Sequence, residues 1–356
     1  MRLSGKAIVG ILLSILLLWW ALRDVSFAEV LHELQNADPL LFLLAVAGQT
    51  LGMVIRALRW RLLLVPVAPN ISFRPRFAAV NIGFAANNVF PARVGEFARA
   101  YSLSRLTGIP VTAALGSLVV ERLLDGVVLI GFLFAAMAVP TFPAAVGTGG
   151  IDPRAAAGVI AVIMGALGVL LFFLVSAPER SVALAEWGAR RILPESFRRP
   201  LIDGLRSFLT GLEVLRDTRL FLGSVAWAVA QWGFLAISFL LAFRAFGIDE
   251  VGFAGALFLQ SLIALAVAVP SSPGFFGPYE AAAKLGLALW AVAPQKAVSF
   301  AIGFHIGGFI PVTLLGFYYV WRLGLSWREV EKSEQTVEEI VERDTPEPLH
   351  EGTPVD

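Results

Sequence analysis

Twice in this chain an apolar stretch is broken by proline and glycine and then resumes on a glutamate. The first break runs Asn87-Asn88-Val89-Phe90-Pro91-Ala92-Arg93-Val94-Gly95-Glu96. The second runs Val269-Pro270-Ser271-Ser272-Pro273-Gly274-Phe275-Phe276-Gly277-Pro278-Tyr279-Glu280. Proline lacks the N–H a helix needs and glycine gains little from staying helical, so neither stretch reads as one continuous helix. Both lie inside strongly hydrophobic sequence. Backbone that leaves the helical ladder is tolerated at membrane depth only where protein or water satisfies it. Broken segments at corresponding places in two halves of a membrane protein point to a transport site.

The bilayer itself follows from composition. Hydrophobic residues make up 57% of the 356 and charged residues only 15%, with a mean hydropathy of +0.76. Several windows exceed the roughly 18–20 apolar residues that span a membrane. The runs are too long for strands and do not alternate, which excludes a β-barrel reading. The class is an all-α polytopic membrane protein. There are no cysteines, so disulfides, thiolate metal sites and cysteine nucleophiles are excluded. His32, His305 and His350 are too scattered for a metal cluster, and no metal or other cofactor is expected. The net charge of +1 hides an asymmetry: residues 326–356 hold ten acidic and three basic side chains, leaving 25 basic against 17 acidic elsewhere. Most of that excess is arginine, as in cytoplasmic loops.

Arginine placement orders the spans. Helices are expected over 6–22, 39–63, 111–139, 155–176, 220–243 and 295–322, with an external amphipathic segment at 24–38 and a cytoplasmic, arginine-rich linker at 177–219. The first apolar run shows no small-residue cleavage site and reads as a retained helix. The segments 77–90 and 95–106 read as a hairpin entered from the cytoplasm, and 252–270 and 278–291 as a hairpin entered from outside. Letting each arm cross fully would leave the parity unchanged. Halves 39–139 and 220–322 then have opposite orientation, the inverted-topology repeat typical of alternating-access transporters. Both termini fall on the cytoplasmic side. A membrane domain over 1–325 is followed by an acidic tail, 326–356, expected to be disordered or partly helical.

Three clusters carry chemistry. Arg93, Glu96 and Arg99 are three apart, so Glu96 would pair with both arginines on one helical face, and a spare guanidinium fork would suit a lipid phosphate. The bland alternative is a salt bridge anchoring a cytoplasmic turn. Glu121, Arg122 and Asp125 lie inside the third expected helix, the two carboxylates i,i+4 on one face and about 15 Å from its start. They must find partners, with Arg93 and Arg99 as candidates, and either tie the hairpin to the helix or handle protons or substrate. At the second break, Ser272 before Pro273 and Gly277 before Pro278 read as helix caps, with Gly274 between them and Glu280 at the third helical position. Glu280 is then a capping carboxylate, or else the exposed amides hold an anionic head group. Arg56, Arg59 and Arg61 around Trp60 read as interfacial, snorkelling charges. His305, in a glycine-rich helix, reads as a structural donor more readily than as a proton carrier. No Walker, HExxH or GxSxG motif is present.

At Arg56-Ala57-Leu58-Arg59-Trp60, Pro91-Ala92-Arg93-Val94-Gly95-Glu96-Phe97-Ala98-Arg99, Glu121-Arg122-Leu123-Leu124-Asp125 and Pro273-Gly274-Phe275-Phe276-Gly277-Pro278-Tyr279-Glu280 the sequence resembles the flippase-like, lysylphosphatidylglycerol-synthase transmembrane-region family. The likeness covers about residues 5–325. It implies a bacterial or archaeal inner-membrane protein that moves a lipid or lipid-linked group between leaflets. Members that synthesise aminoacyl-phospholipid carry a large soluble transferase domain after the membrane part. Only about thirty residues, rich in acidic side chains, follow the last helix here, so synthesis by this chain alone is not expected. Pro278 departs from the small or apolar residue expected at its place.

The expectation is a translocase of a lipid or lipid-linked head group. Its partners would be anionic phospholipid or a polyprenyl-phosphate-linked substrate, and not nucleic acid. Arg93, Glu96, Arg99, Ser272, Gly274, Gly277 and Glu280 would bind substrate, while Glu121, Arg122, Asp125 and His305 would couple the step or brace it. Two other classes compete. One is an intramembrane enzyme using Glu121 and Asp125 as acid and base. The other is a scaffold that binds partners through the linker and tail.

Overall fold

The computed structural model describes residues 5–143, 176–192, 195–268 and 272–333, with isolated positions between 158 and 173 and at 335 and 337. Among the described residues every regular element is helical. Helices α1 (Gly5–Leu22) and α2 (Phe27–Asn36) precede α3 (Pro39–Leu64). Helices α4 (Phe73–Val89) and α5 (Gly95–Thr107) flank the first break, which holds a 3-10 turn at Pro91–Arg93, and α6 (Val111–Ala138) follows. Helices α7 (Pro178–Ile192) and α8 (Glu195–Leu212) lead into α9 (Thr218–Ala245). Helices α10 (Phe253–Ala266) and α11 (Pro278–Ala288) flank the second break, with a 3-10 turn at Pro273–Phe275. The long α12 (Pro294–Arg322) and the short α13 (Trp327–Glu331) come last. Five expected spans are thus α1, α3, α6, α9 and α12. The sixth, over 155–176, falls largely outside the described residues.

Helices α3, α9 and α12, at 26, 28 and 29 residues, are long and apolar enough to cross a bilayer, and α1 with α2 forms an apolar pair bent by 78°. Leu51 and Leu58 on α3, Leu222 and Ile237 on α9, and Ile310 and Leu314 on α12 point their side chains outward, while Arg56, Arg59, Glu121 and Asp125 are buried. Apolar outside and charged inside is the arrangement lipid solvation demands. The protein is a multi-pass membrane protein. Helix α6 is 28 residues long but carries Glu121, Arg122 and Asp125 at its middle, so its fitness to span rests on what its neighbours do with those charges.

Corresponding helices of the two halves keep similar neighbours. Helices α3 and α9 pack along their whole length in opposite directions. The Asp38 N–H donates to the Ala245 carbonyl at 2.8 Å, Gly48 faces Ser238, Gly52 faces Leu235, and Gly223 faces Leu62. Both helices start the same way: the Asp38 carboxylate accepts from the Leu41 N–H and that of Asp217 from the Leu220 N–H, each at 2.9 Å. Such a cap stabilises a helix by about 1 kcal/mol. The hairpin α4–α5 packs against α6 and α12, and the hairpin α10–α11 against α12 and α6; α2 lies on α12 as α8 lies on α6. Both hairpins turn straight back. Gly83 on α4 lies against Gly95 and Arg99 on α5, and Gly255 and Gly286 meet Trp290 and Leu259 across α10–α11. At 13, 14 and 11 residues, α5, α10 and α11 are shorter than a full span.

The chain does not leave the fold directly after α12. Ser326 and Glu329 cap α13 reciprocally, with the Glu329 N–H on Ser326 Oγ at 3.2 Å and the Ser326 N–H on Glu329 Oε2 at 2.7 Å. Trp327 packs on Phe90 and Phe317, with ring centroids 5.9 and 4.5 Å apart. Helix α13 thus covers the first residues of the tail; those beyond 337 lie outside the described residues.

Candidate functional site: a buried arginine network beside two meeting hairpin tips

On α6, Glu121 and Asp125 share a face, and that face is turned into the bundle. Glu121 accepts from Arg56 Nη1 at 2.7 Å and from Arg99 through both terminal nitrogens, at 2.7 and 2.8 Å. Arg122 Nη2 adds a further bond at 2.7 Å. Asp125 accepts from Arg59 Nη1 at 2.5 Å, from Arg56 Nη1 at 3.2 Å and from Trp232 Nε1 of α9 at 2.9 Å. The Arg99 guanidinium lies 3.9 Å above the Trp60 ring, and Trp60 Nε1 donates to Ser117 Oγ at 3.0 Å. Asp125 and Trp232 stand near the middle of their 28-residue helices, about 21 Å from either end.

This overturns one expectation. Arg56 and Arg59 are not snorkelling anchors; they are 3% and 0% exposed. Residues three apart lie on one helical face, and that face of α3 meets α6. Arg61, two residues on, points the other way and is exposed. Two further expectations change. Glu96 does not bridge Arg93 and Arg99: it reaches Arg93 alone, at 3.4 Å, because Arg99 is committed to Glu121. Of the candidate partners for the α6 carboxylates, Arg99 is one and Arg93 is not.

Arg93 goes to the other hairpin. Its Nη1 donates to the Val267 carbonyl at 3.0 Å and also to that of Ala268, and its guanidinium lies 5.6 Å from the Phe275 ring. These carbonyls belong to the C-terminal end of α10, where helical acceptors run out of partners. Arg93 and Phe275 are also backbone counterparts, non-glycine residues at φ 58° and 62° closing the two 3-10 turns. The hairpin tips therefore touch. The first is held by the Gly95 N–H on Asn87 Oδ1 at 2.8 Å, and Asn88 Nδ2 reaches Thr313 Oγ1 of α12 at 2.8 Å.

At the second break, Ser272 does not cap with its side chain. Its N–H donates to Ser14 Oγ of α1 and its hydroxyl to the Phe276 carbonyl, both at 2.9 Å. Gly274 takes φ 66° and Gly277 φ 101°. A Cβ on Gly277 would strike the Ser14 carbonyl. The Gly277 N–H donates to Glu280 Oε2 at 2.6 Å, and the other oxygen of Glu280 lies 2.6 Å from His305 Nδ1. The capping reading of Glu280 thus matches the geometry, and the carboxylate stands where an incoming anion would. Lys284 caps α1 through the Ala21 carbonyl at 2.9 Å. No group of three or more His, Asp or Glu side chains suited to a metal occurs among the described residues.

Counting Arg56, Arg59, Arg93, Arg99 and Arg122 against Glu96, Glu121 and Asp125 leaves two positive charges in excess. Arg59 Nη2 and the Nε atoms of Arg56, Arg59, Arg99 and Arg122 are buried without a hydrogen-bond acceptor. The network opens at one side, where the Arg122 side chain is 39% exposed and those of Arg93 and Glu96 are 22% and 29% exposed. Partly exposed arginines backed by buried ones suit an anion.

Residues 7–316 match the family model described as the lysylphosphatidylglycerol synthase TM region. The chain belongs to that family. It is similar to the glycosyltransferase AglD of Haloferax volcanii, 29% identical across 84% of this chain and 51% of the relative. It is also similar to the UPF0104 membrane protein MJ1595 of Methanocaldococcus jannaschii, 30% identical across 36% of this chain and 38% of the relative. A UPF0104 membrane protein of Methanothermobacter thermautotrophicus is 26% identical across 35% and 37%. The matches therefore span about half or less of these relatives' lengths. Family membership supports a membrane, lipid-related role. Sequence reasoning missed Arg56, Arg59 and Trp232 as members of the network. The three-residue spacing of the two arginines was the available signal; nothing local marked Trp232.

Proposed function

We propose that this protein carries an anionic lipid head group across the bilayer of a bacterial or archaeal inner membrane, with both termini cytoplasmic. The observation that carries this reading is the surplus of two positive charges in the arginine network, partly exposed at Arg122 and Arg93 beside two hairpin tips that touch. A buried arginine costs about 2.5–3.5 kcal/mol even on insertion scales, so two unbalanced ones are costly unless an anion joins them. A phosphomonoester, a pyrophosphate or a phosphodiester offers the matching charge and acceptors. Arg122 and Arg93 would meet the phosphate first, and Glu96 would yield Arg93 to it. Arg93 would then release the α10 carbonyls, which links binding to parting of the tips.

The enzyme reading loses support from the same geometry. Glu121 and Asp125 are held by arginines on all sides, which suits ionised braces better than an acid and a base. The relative named as a glycosyltransferase adds lipid-linked sugars to the candidate cargoes. The test is lipid movement in proteoliposomes with head-group-labelled phosphatidylglycerol and labelled polyprenyl phosphate as separate arms. Arg122→Gln and Arg93→Ala should each slow movement of one probe about tenfold or more, the worth of one charge-assisted hydrogen bond. Wild-type rates in both variants for every probe that moves would refute the mechanism.

A further inference from the structure

Glu280 and His305 form a buried titratable pair that the cationic site does not use. We propose that they are a proton-binding site through which the second half of the protein couples its movement to protons, an inference that rests on the translocation reading above.

The geometry demands hydrogen between them. Glu280 Oε1 and His305 Nδ1 are 2.6 Å apart, so one hydrogen lies between them, carried by the ring nitrogen or by the carboxyl oxygen. With Nε2 also protonated the pair is neutral overall. With Nε2 bare it is one negative charge, and Glu280 is 1% exposed. A lone buried charge is costly and a paired one much less so. The imidazole cannot easily turn away. Tyr279 stacks on it at 4.1 Å, with planes 14° apart, and the Phe276 ring centroid lies 4.6 Å from it. Aromatic faces within 6 Å are a fitting seat for a cationic ring.

The pair also sits at a mechanical joint. One oxygen of Glu280 fixes the start of α11 through the Gly277 N–H, and the other ties α11 to α12. Loss of the Nε2 proton removes the ion pair across that joint and leaves the cap in place. Only a hydrogen bond to an uncharged ring then holds α12 to α11, which loosens that joint and the second break with it.

Other charged groups on the surrounding elements are few or already engaged. On α11, Lys284 caps α1 and Tyr279 lies in the stack. On α12, Lys296 reaches the Gly247 carbonyl nine residues before His305, and Arg322 lies at the far end. Helix α10 has none, α1 has Lys6, and α4 has Arg74 and Arg76 in its first turn. Helix α2 has Glu29, His32 and Glu33, α3 has Arg56, Arg59 and Arg61, and α9 has Arg219 and Arg244. At the opposing tip, Arg93 is spent on the α10 carbonyls. The repeat adds an independent argument. His305 is the twelfth residue of α12, and Arg122 is the twelfth of α6. One half therefore places a permanent cation where the other places a cation that a proton can make or remove.

The test has two readouts on the full chain. In detergent, hydrogen exchange of the 277–283 amides, corrected for intrinsic rates, is followed from about pH 5 to 9, the range a histidine can report. Wild type should lose protection about tenfold across a single step, the worth of one charge-assisted bond. His305→Gln should show no step, and His305→Arg should stay protected throughout, which separates loss of titration from loss of fold. In phosphatidylglycerol-containing vesicles, wild-type lipid movement should respond to an imposed pH gradient and His305→Arg movement should not. No step in wild type, or a step that survives in both variants, overturns the proton site. A step in wild type that moves no lipid probe overturns the translocation reading and the coupling together.

Discussion

Replacing Glu121 by Gln changes one atom in size and almost everything in charge. The carboxylate accepts four bonds, from Arg56, twice from Arg99, and from Arg122. Glutamine offers one acceptor oxygen in place of two and no charge, so at least one bond to a charged group, worth about 1.5–3 kcal/mol, is lost outright and the others weaken. Direct measurements on broken buried ion pairs give about 3–5 kcal/mol. The surplus of positive charge in the network also rises from two to three. We expect Glu121→Gln to lower stability by about 4 kcal/mol, measured by denaturant unfolding in mixed micelles. Arg99→Gln in the same chain takes one positive charge away again. The double variant should recover about 2 kcal/mol relative to the sum of the two single losses, within the range of couplings seen between contacting residues. A Glu121→Gln protein within about 1 kcal/mol of wild type, or a strictly additive double variant, would refute the account of α6 as held by its arginines.

Two further outcomes can be checked by simple assays. Gly277→Ala forces a side chain onto φ 101° and against the Ser14 carbonyl, so it should cost about 2 kcal/mol or more in unfolding free energy; Gly233→Ala, which meets nothing within 4 Å in α9, should be neutral or stabilising by up to about 1 kcal/mol. Hydrogen bonds from the Ser326 backbone and side chain hold the Glu329 carboxyl below its ordinary range, so the cap on α13 is present above that range and is lost as pH falls through the lowered value; Trp327 fluorescence should report α13 loosening on acidification, and Ser326→Ala should loosen it already at neutral pH.

Much of this architecture was readable in one dimension because its signals are local. The long apolar runs announce the helices, and the two proline–glycine breaks announce the hairpins. Glu121 and Asp125 share a face at any depth. What was not readable is which way α3 turns. Arg56, Arg59 and Arg61 fall within six residues beside Trp60, a composition equally suited to a membrane edge, and only packing against α6 separates the inner pair from the outer one. The destination of Arg93 was hidden for another reason. A left-handed residue at φ 58° swings its side chain off the helical face on which spacing rules depend. Trp232 lies 107 residues from its partner Asp125, and no local pattern spans that distance.

Antiparallel α3 and α9 imply that the molecule carries a sketch of its own reverse image. On the proposed translocation, if each half were to take the backbone shape its counterpart now holds, the exposed edge at Arg122 would close and a matching edge would open at His305. The two end states would not be electrically equal. One edge would present a cation that never leaves, and the other a cation lent by the surrounding water, so the same cargo would be gripped on one side of the membrane and let go on the other.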